Sequence, residues 1–154
     1  MTLKTVSSDN IIRIAMKKRN YKILVIDESV SFVLSMKHLL SHQEINVIPC
    51  LPHVATETIQ TVYPDVILLS FCLKPGSSIN LLARIKRNPE VKNIPVIIVS
   101  KTKGMIINQA LEEGAFDFLV KPFTYNDIME TIYAALELSH QGKSSSSVSL
   151  KKLN

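Results

Sequence analysis

Pro64-Asp-Val-Ile-Leu-Leu-Ser70 is the stretch that decides the fold. Its centre, Val66 to Leu69, is apolar at every position and rich in β-branched or branched side chains, with no polar alternation. That is the pattern of a strand covered on both faces, as in a parallel sheet with helices on either side. Two more runs read the same way, Ile23-Leu-Val-Ile26 and Val96-Ile-Ile-Val99. Asn46 to Pro49 and Phe116 to Val120 supply two shorter strand candidates. Between and after the strands the apolar residues recur at helical spacing: Phe32, Met36, Leu39 and Leu40; Ala55, Ile59 and Val62; Leu81, Leu82 and Ile85; Ile107, Ala110 and Leu111; Ile128, Ile132, Ala135 and Leu136. The order is β-α repeated five times, which predicts an α/β, doubly wound parallel sheet. Punctuation agrees with it. Pro64 precedes the third strand, Lys74-Pro-Gly-Ser-Ser78 reads as a turn, Gly114 ends a helix, and Thr124 with Asp127 can cap the last one.

With 154 residues and 46% hydrophobic content, the chain has the size and composition of one compact domain. Its apolar runs are far shorter than the roughly 20 residues of a bilayer span, and the N-terminus lacks a secretory h-region, so a cytoplasmic protein without a membrane partner is expected. Cys50 and Cys72 form no CxxC and have no His at ligand spacing, which argues for free, buried or half-buried thiols. His38, His42, His53 and His140 share no ligand spacing either, and Met16, Met36, Met105 and Met129 read as gap-filling apolar residues.

The formal charge of +5 raises the question of a nucleic-acid partner. Its distribution answers it. Residues 21–137 hold ten Lys/Arg against twelve Asp/Glu, a balance of −2, whereas residues 1–20 carry +4 and the tail from Leu138 carries +3. The division is therefore a basic N-terminal extension (1–20), a mildly acidic domain (21–139) and a polar Ser/Lys tail (140–154) that reads as flexible. Ile11-Ile-Arg-Ile-Ala-Met-Lys-Lys-Arg19 is too short for a persuasive membrane or nucleic-acid helix, and a packing arm is the plainer reading.

Ligands of open parallel sheets bind beyond the carboxyl ends of the strands. Asp27 and Glu28 follow the first strand, Ser70 the third, Ser100 the fourth and Lys121 the fifth, so five polar residues far apart in sequence are expected at one edge.

Four segments, Lys22-Ile-Leu-Val-Ile-Asp-Glu28, Pro64-Asp-Val-Ile-Leu-Leu-Ser70, Ile94-Pro-Val-Ile-Ile-Val-Ser100 and Gly114-Ala-Phe-Asp-Phe-Leu-Val-Lys-Pro-Phe123, resemble in order the receiver domains of two-component response regulators. The resemblance covers about residues 21–139. It implies a flavodoxin-like sheet of strand order 2-1-3-4-5. It also implies a site in which an acidic pair holds Mg²⁺, an Asp ending the third strand accepts a phosphoryl group from a histidine kinase, and a hydroxyl and a lysine contact the phosphoryl oxygens. By position Asp27 and Glu28 match the acidic pair and metal ligands, Ser100 the hydroxyl, Lys121 the lysine and Phe118 the aromatic switch. The phosphoacceptor position is Ser70.

A carboxylate is ionised at neutral pH, ligates Mg²⁺ and attacks phosphorus unaided, while a serine hydroxyl is protonated, a poor ligand and in need of a general base. The expected function is therefore that of an atypical or pseudo-receiver, a non-catalytic signal-transduction module acting through phosphorylation-independent protein interaction. No cofactor is expected beyond weak Mg²⁺ at Asp27 and Glu28, and an ion pair of Lys121 with either carboxylate could fix the loops. Lys101 either covers the cleft or points to solvent with Lys103. Ser78 and Lys74 stand where the family often keeps glycine and proline, so the loop after Ser70 is expected to differ. Family analogy puts the protein partner on the surface around residues 105–138, and a homodimer is compatible with it. The alternatives are phosphoryl transfer to a non-standard acceptor and nucleic-acid binding through the basic termini. If the charge reading is right, any nucleic-acid affinity in a retardation assay disappears when residues 1–20 and 141–154 are trimmed, and binding that persists contradicts it.

Overall fold

The computed structural model describes residues 20–41, 44–71 and 76–144, with side chains as far as Ser139. Five strands, Tyr21–Ile26 (β1), Ile45–Cys50 (β2), Val66–Ser70 (β3), Val96–Ser100 (β4) and Asp117–Val120 (β5), alternate with five helices. The helices are Val30–Leu40 (α1), Ala55–Val62 (α2), Ser77–Arg87 (α3), Met105–Glu112 (α4) and Tyr125–Ser144 (α5), and a short 3-10 turn, Pro52–Val54, leads into α2. All pairings are parallel and the sheet order is β2-β1-β3-β4-β5. This is the doubly wound sheet expected from the β-α alternation, in the flavodoxin-like order that the receiver resemblance implies.

Every residue of β3 and β4 is buried, which is why their sequences are apolar up to the final serine of each. Alternate side chains feed two separate cores. On one face Ile23, Val25, Val66, Leu68, Ile97 and Val99 pack against α1 and α5 through residues such as Met36, Leu40, Ile128 and Ile132. On the other, Leu24, Ile26, Ile67, Leu69, Val96 and Ile98 pack against α2, α3 and α4 through Ile59, Leu82, Ile85 and Ile107. Each such side chain contributes about 1.5–3 kcal/mol on burial.

Local signals explain the boundaries. Thr124 and Asp127 cap α5 reciprocally: the Thr124 amide donates to Asp127 Oδ2 at 2.9 Å, and the Asp127 amide donates to Thr124 Oγ1 at 3.1 Å. Hydrogen bonding from Thr124, its backbone amide first and its side chain second, holds the Asp127 carboxyl below the usual carboxylate range. Gly114 follows α4 at φ 104°, a conformation that side-chain-bearing residues rarely adopt. α2 ends instead on Tyr63 at φ 51°, the one non-glycine residue with positive φ among those described.

Some expectations need adjustment. Ser77 and Ser78 are not turn residues but the first turn of α3, after Gly76 at φ 83°. Leu111 is 39% exposed, and Ile106 packs in its place on the second core. Met105 is 84% exposed and fills no gap, since it opens α4 before that helix reaches the sheet, whereas Met36 and Met129 are buried as expected. Val33, absent from the periodic reading, is buried. Cys50 is a buried free thiol whose pKa burial pushes up. Cys72, Lys74, His42, Met16, the extension 1–19 and the tail 145–154 lie outside the described residues, as does the side chain of His140.

Ile98 is fully buried on the central strand pair. Ile98→Ala is expected to lower stability by about 2–5 kcal/mol in urea unfolding, with an unchanged denaturant slope.

Candidate functional site

Parallel pairing brings the ends of β1, β3, β4 and β5 to one edge. Ile26 pairs with Leu69, so Asp27 and Ser70, the next residue on each strand, stand side by side. Both continue the alternation of Val25 and Leu68, on the face covered by α1 and α5. Asp27 is 3% exposed and Ser70 1%. Asp27 Oδ1 accepts from the Ser29 amide at 2.7 Å, which fixes the turn into α1, where Ser29 Oγ caps the Phe32 amide. Asp27 Oδ2 and Ser70 Oγ make no hydrogen bond among the described residues. Two buried polar atoms without partners, on neighbouring strands, are costly groups that ordinary packing does not explain.

Lys121 follows β5, and the Lys121–Pro122 bond is cis. Its ammonium lies 3.7 Å from the centre of the Phe32 ring, a cation–π contact that joins α1 to the β5 loop. Nothing in the sequence pointed to it, because Phe32 reads simply as one member of an apolar helix face.

Ser100 is buried but turns back on its own loop: its hydroxyl donates to the Thr102 carbonyl at 2.9 Å and accepts from the Thr102 amide at 3.2 Å. Alternation places it with Ile98, on the face opposite Ser70, and Phe118, half-buried, pairs with Ile98 on that face. Glu28 is exposed, so the acidic pair divides into one buried and one solvated carboxylate. Lys101 and Lys103 are both exposed, the solvent-facing arrangement. The Ser78 hydroxyl donates to the Ser70 carbonyl at 2.9 Å, tying α3 to the end of β3. His38 and His53 are exposed.

Mg²⁺ takes hard oxygen donors in near-octahedral geometry and depends on carboxylates to offset dehydration. The donors here are one unpartnered oxygen of Asp27, an exposed Glu28 and a hydroxyl at Ser70. Among the described residues no three His, Cys, Asp or Glu side chains gather into a metal-binding group, and no helix is long and apolar enough to cross a membrane.

A doubly wound sheet whose carboxyl edge gathers an acidic residue, two hydroxyls and a Lys-Pro pair defines a receiver-type signalling fold. The response regulator receiver domain model matches residues 23–133, and the chain belongs to that family, as a receiver domain of two-component signalling. Its curated relatives include the two-component response regulator ORR3 of Oryza sativa subsp. indica, 38% identical over 64 residues, covering 41% of this chain and 49% of that protein. The two-component response regulator-like PRR37 of the same plant is 33% identical over 117 residues, 73% of this chain and 16% of that one. The phosphate regulon transcriptional regulatory protein PhoB of Pseudomonas aeruginosa is 37% identical over 83 residues, 53% of this chain and 36% of its own. The chain thus spans half or less of these relatives. Since PhoB is a transcriptional regulator, the relatives lend no support to excluding nucleic acid. Among solved structures, a response regulator receiver domain protein from Clostridium thermocellum superposes with TM-score 0.72 at 25% identity, covering 79% of this chain and 98% of its own.

Removing the unpartnered hydroxyl relieves a buried polar group without opening a large cavity. Ser70→Ala is therefore expected to leave thermal stability unchanged or raise it by up to about 1 kcal/mol, and a loss larger than that would mean that the hydroxyl has a partner in solution.

Proposed function

We propose that this chain is an atypical receiver domain that signals by being bound, without running a phosphorylation cycle. The observation that carries the reading is Ser70: a hydroxyl, 1% exposed, stands at the carboxyl end of β3 where an acyl phosphate requires a carboxylate. In this reading Asp27 and Glu28 keep the form of an acidic pocket that holds Mg²⁺ weakly or not at all, because the set is one carboxylate short. Ser100, Phe118 and Lys121 keep the form of the switch residues. The unit is residues 21–139, non-catalytic, flanked by residues 1–20 and 140–154, although the last helix continues past 139 to Ser144 where a flexible tail was expected.

The partner face in this reading is the surface around residues 105–138. A cavity of about 380 Å³ supports it, lined by Phe118, Leu119, Val120 and Phe123 with Lys103, Asp127, Glu130 and Thr131. Its lining combines two aromatic rings with three charged side chains, and it borders β5, an edge strand of the sheet.

One observation favours a second reading. Asp27 Oδ2 is unpartnered at the strand end next to that of Ser70, and although the two groups share no hydrogen bond as they stand, a shift that brought them within reach would let the carboxylate take the proton from an attacking serine. The product would be a stable phosphate ester, poorly suited to a reversible signal.

Incubation with Mg²⁺ and a small phosphodonor, read by intact mass, separates the two. No stoichiometric adduct is expected on the protein as it stands. Ser70→Asp is expected to gain one phosphoryl group if the rest of the cleft is competent, and an adduct mapped to Ser70 in the unaltered protein overturns the proposal.

A further inference from the structure

Lys121 opens the loop between β5 and α5, and the backbone of that loop is anchored at both ends. Upstream, Val120 pairs with Ser100, and the Lys121 amide donates to the Ser100 carbonyl at 2.8 Å. Downstream, the reciprocal cap of Thr124 and Asp127 fixes the start of α5. Between these anchors the Lys121 side chain leaves the loop for α1, where its ammonium lies 3.7 Å from the centre of the Phe32 ring. The ring is itself held. Asp27 Oδ1 accepts from the Ser29 amide at 2.7 Å, the Ser29 hydroxyl accepts from the Phe32 amide at 3.3 Å, and the half-buried ring packs against the first core. The first turn of α1 is therefore a fixed platform for the ammonium. Val120 and Phe123, which bracket Lys121 and Pro122, both line the cavity of about 380 Å³ beside β5.

We propose that Phe32 is a positioning residue for that cavity: its ring holds the Lys121 ammonium, and through it the lining residues on either side, in one arrangement. With the backbone fixed only at its ends, the middle of the loop is placed by its side chains. Phe123 packs against the first core, and apolar burial is non-directional. The Phe32 ring attracts a cation over its face alone, so it supplies the direction that burial lacks. A line of contacts then runs from the buried carboxylate of Asp27 through Ser29, Phe32 and Lys121 to the cavity. It does not pass through Ser100 and Phe118, since the Ser100 hydroxyl is committed to Thr102 and Phe118 packs with the opposite core. Any group that draws the ammonium off the ring alters the lining of the cavity. The inference stands on these contacts, whether or not the cavity takes a protein partner and however the phosphoacceptor position is read.

The full chain is prepared with isotope-labelled lysine for NMR, and the Lys121 signal is assigned by its loss in Lys121→Arg. Its ε-methylene protons are expected upfield of those of the exposed Lys37, Lys101 and Lys103, because an aromatic ring shields groups held above its face. Phe32→Leu, which keeps apolar bulk, is expected to abolish that displacement. It is also expected to speed hydrogen exchange of the Lys121 amide by about three- to tenfold relative to the Ile67 amide, which bonds to the Pro95 carbonyl within the sheet. Phe32→Tyr, which keeps a ring, is expected to retain both the upfield signal and the slow exchange. Lys121 protons at the positions of the exposed lysines overturn the proposal. So does an exchange rate in Phe32→Leu that is unchanged at Lys121 or rises equally at Ile67, or a Phe32→Tyr protein that behaves like Phe32→Leu.

Discussion

The packing of β3 and β4 on both faces is the constraint on which everything else rests. Strands buried on both sides can carry nothing but apolar side chains along their length, so polar chemistry is confined to their ends. Parallel pairing puts all the carboxyl ends at one edge, and the connecting helices cover the two faces. Ser70 and Ser100 are the last residues of their strands, and Asp27 and Lys121 the first beyond theirs. The site is thus where the apolar rule stops applying.

Within that edge, alternation sorts the residues. Asp27, Ser70 and the Lys121–Phe32 contact belong to the face under α1 and α5, whereas Ser100 and Phe118 belong with the opposite core. The receiver family supplies the frame, and Ser70 supplies the departure. A hydroxyl beside a half-satisfied carboxylate leaves two buried polar atoms without partners among the described residues, an unusual state for a well-packed interior.

The sheet was legible because burial on both faces leaves an unmistakable apolar run, and strand order followed from the receiver resemblance. The cap of α5 was legible too, since Thr124 and Asp127 stand at the spacing that the reciprocal bonds need. Other features were hidden for definite reasons. A periodic pattern cannot tell that Leu111 faces outward, because Ile106 and Ile107 offer an equally good apolar face. Nor does it distinguish a buried carboxylate from an exposed one when Asp27 and Glu28 are adjacent in sequence. Ser78 and Phe32 acquire their partners through contacts 8 residues away and across the sheet, which no local pattern encodes.

The amino edge of the sheet has a different character. There Lys22 donates to the Val62 carbonyl, its own amide donates to Asp65, and Tyr63, held in a left-handed conformation, reaches the carbonyl of Glu90. These cross-links join β1, α2 and the approaches to β3 and β4 into a rigid foundation remote from the cleft. Such a division uncouples architecture from chemistry. A residue at the end of β3 can therefore be exchanged without touching any of these cross-links.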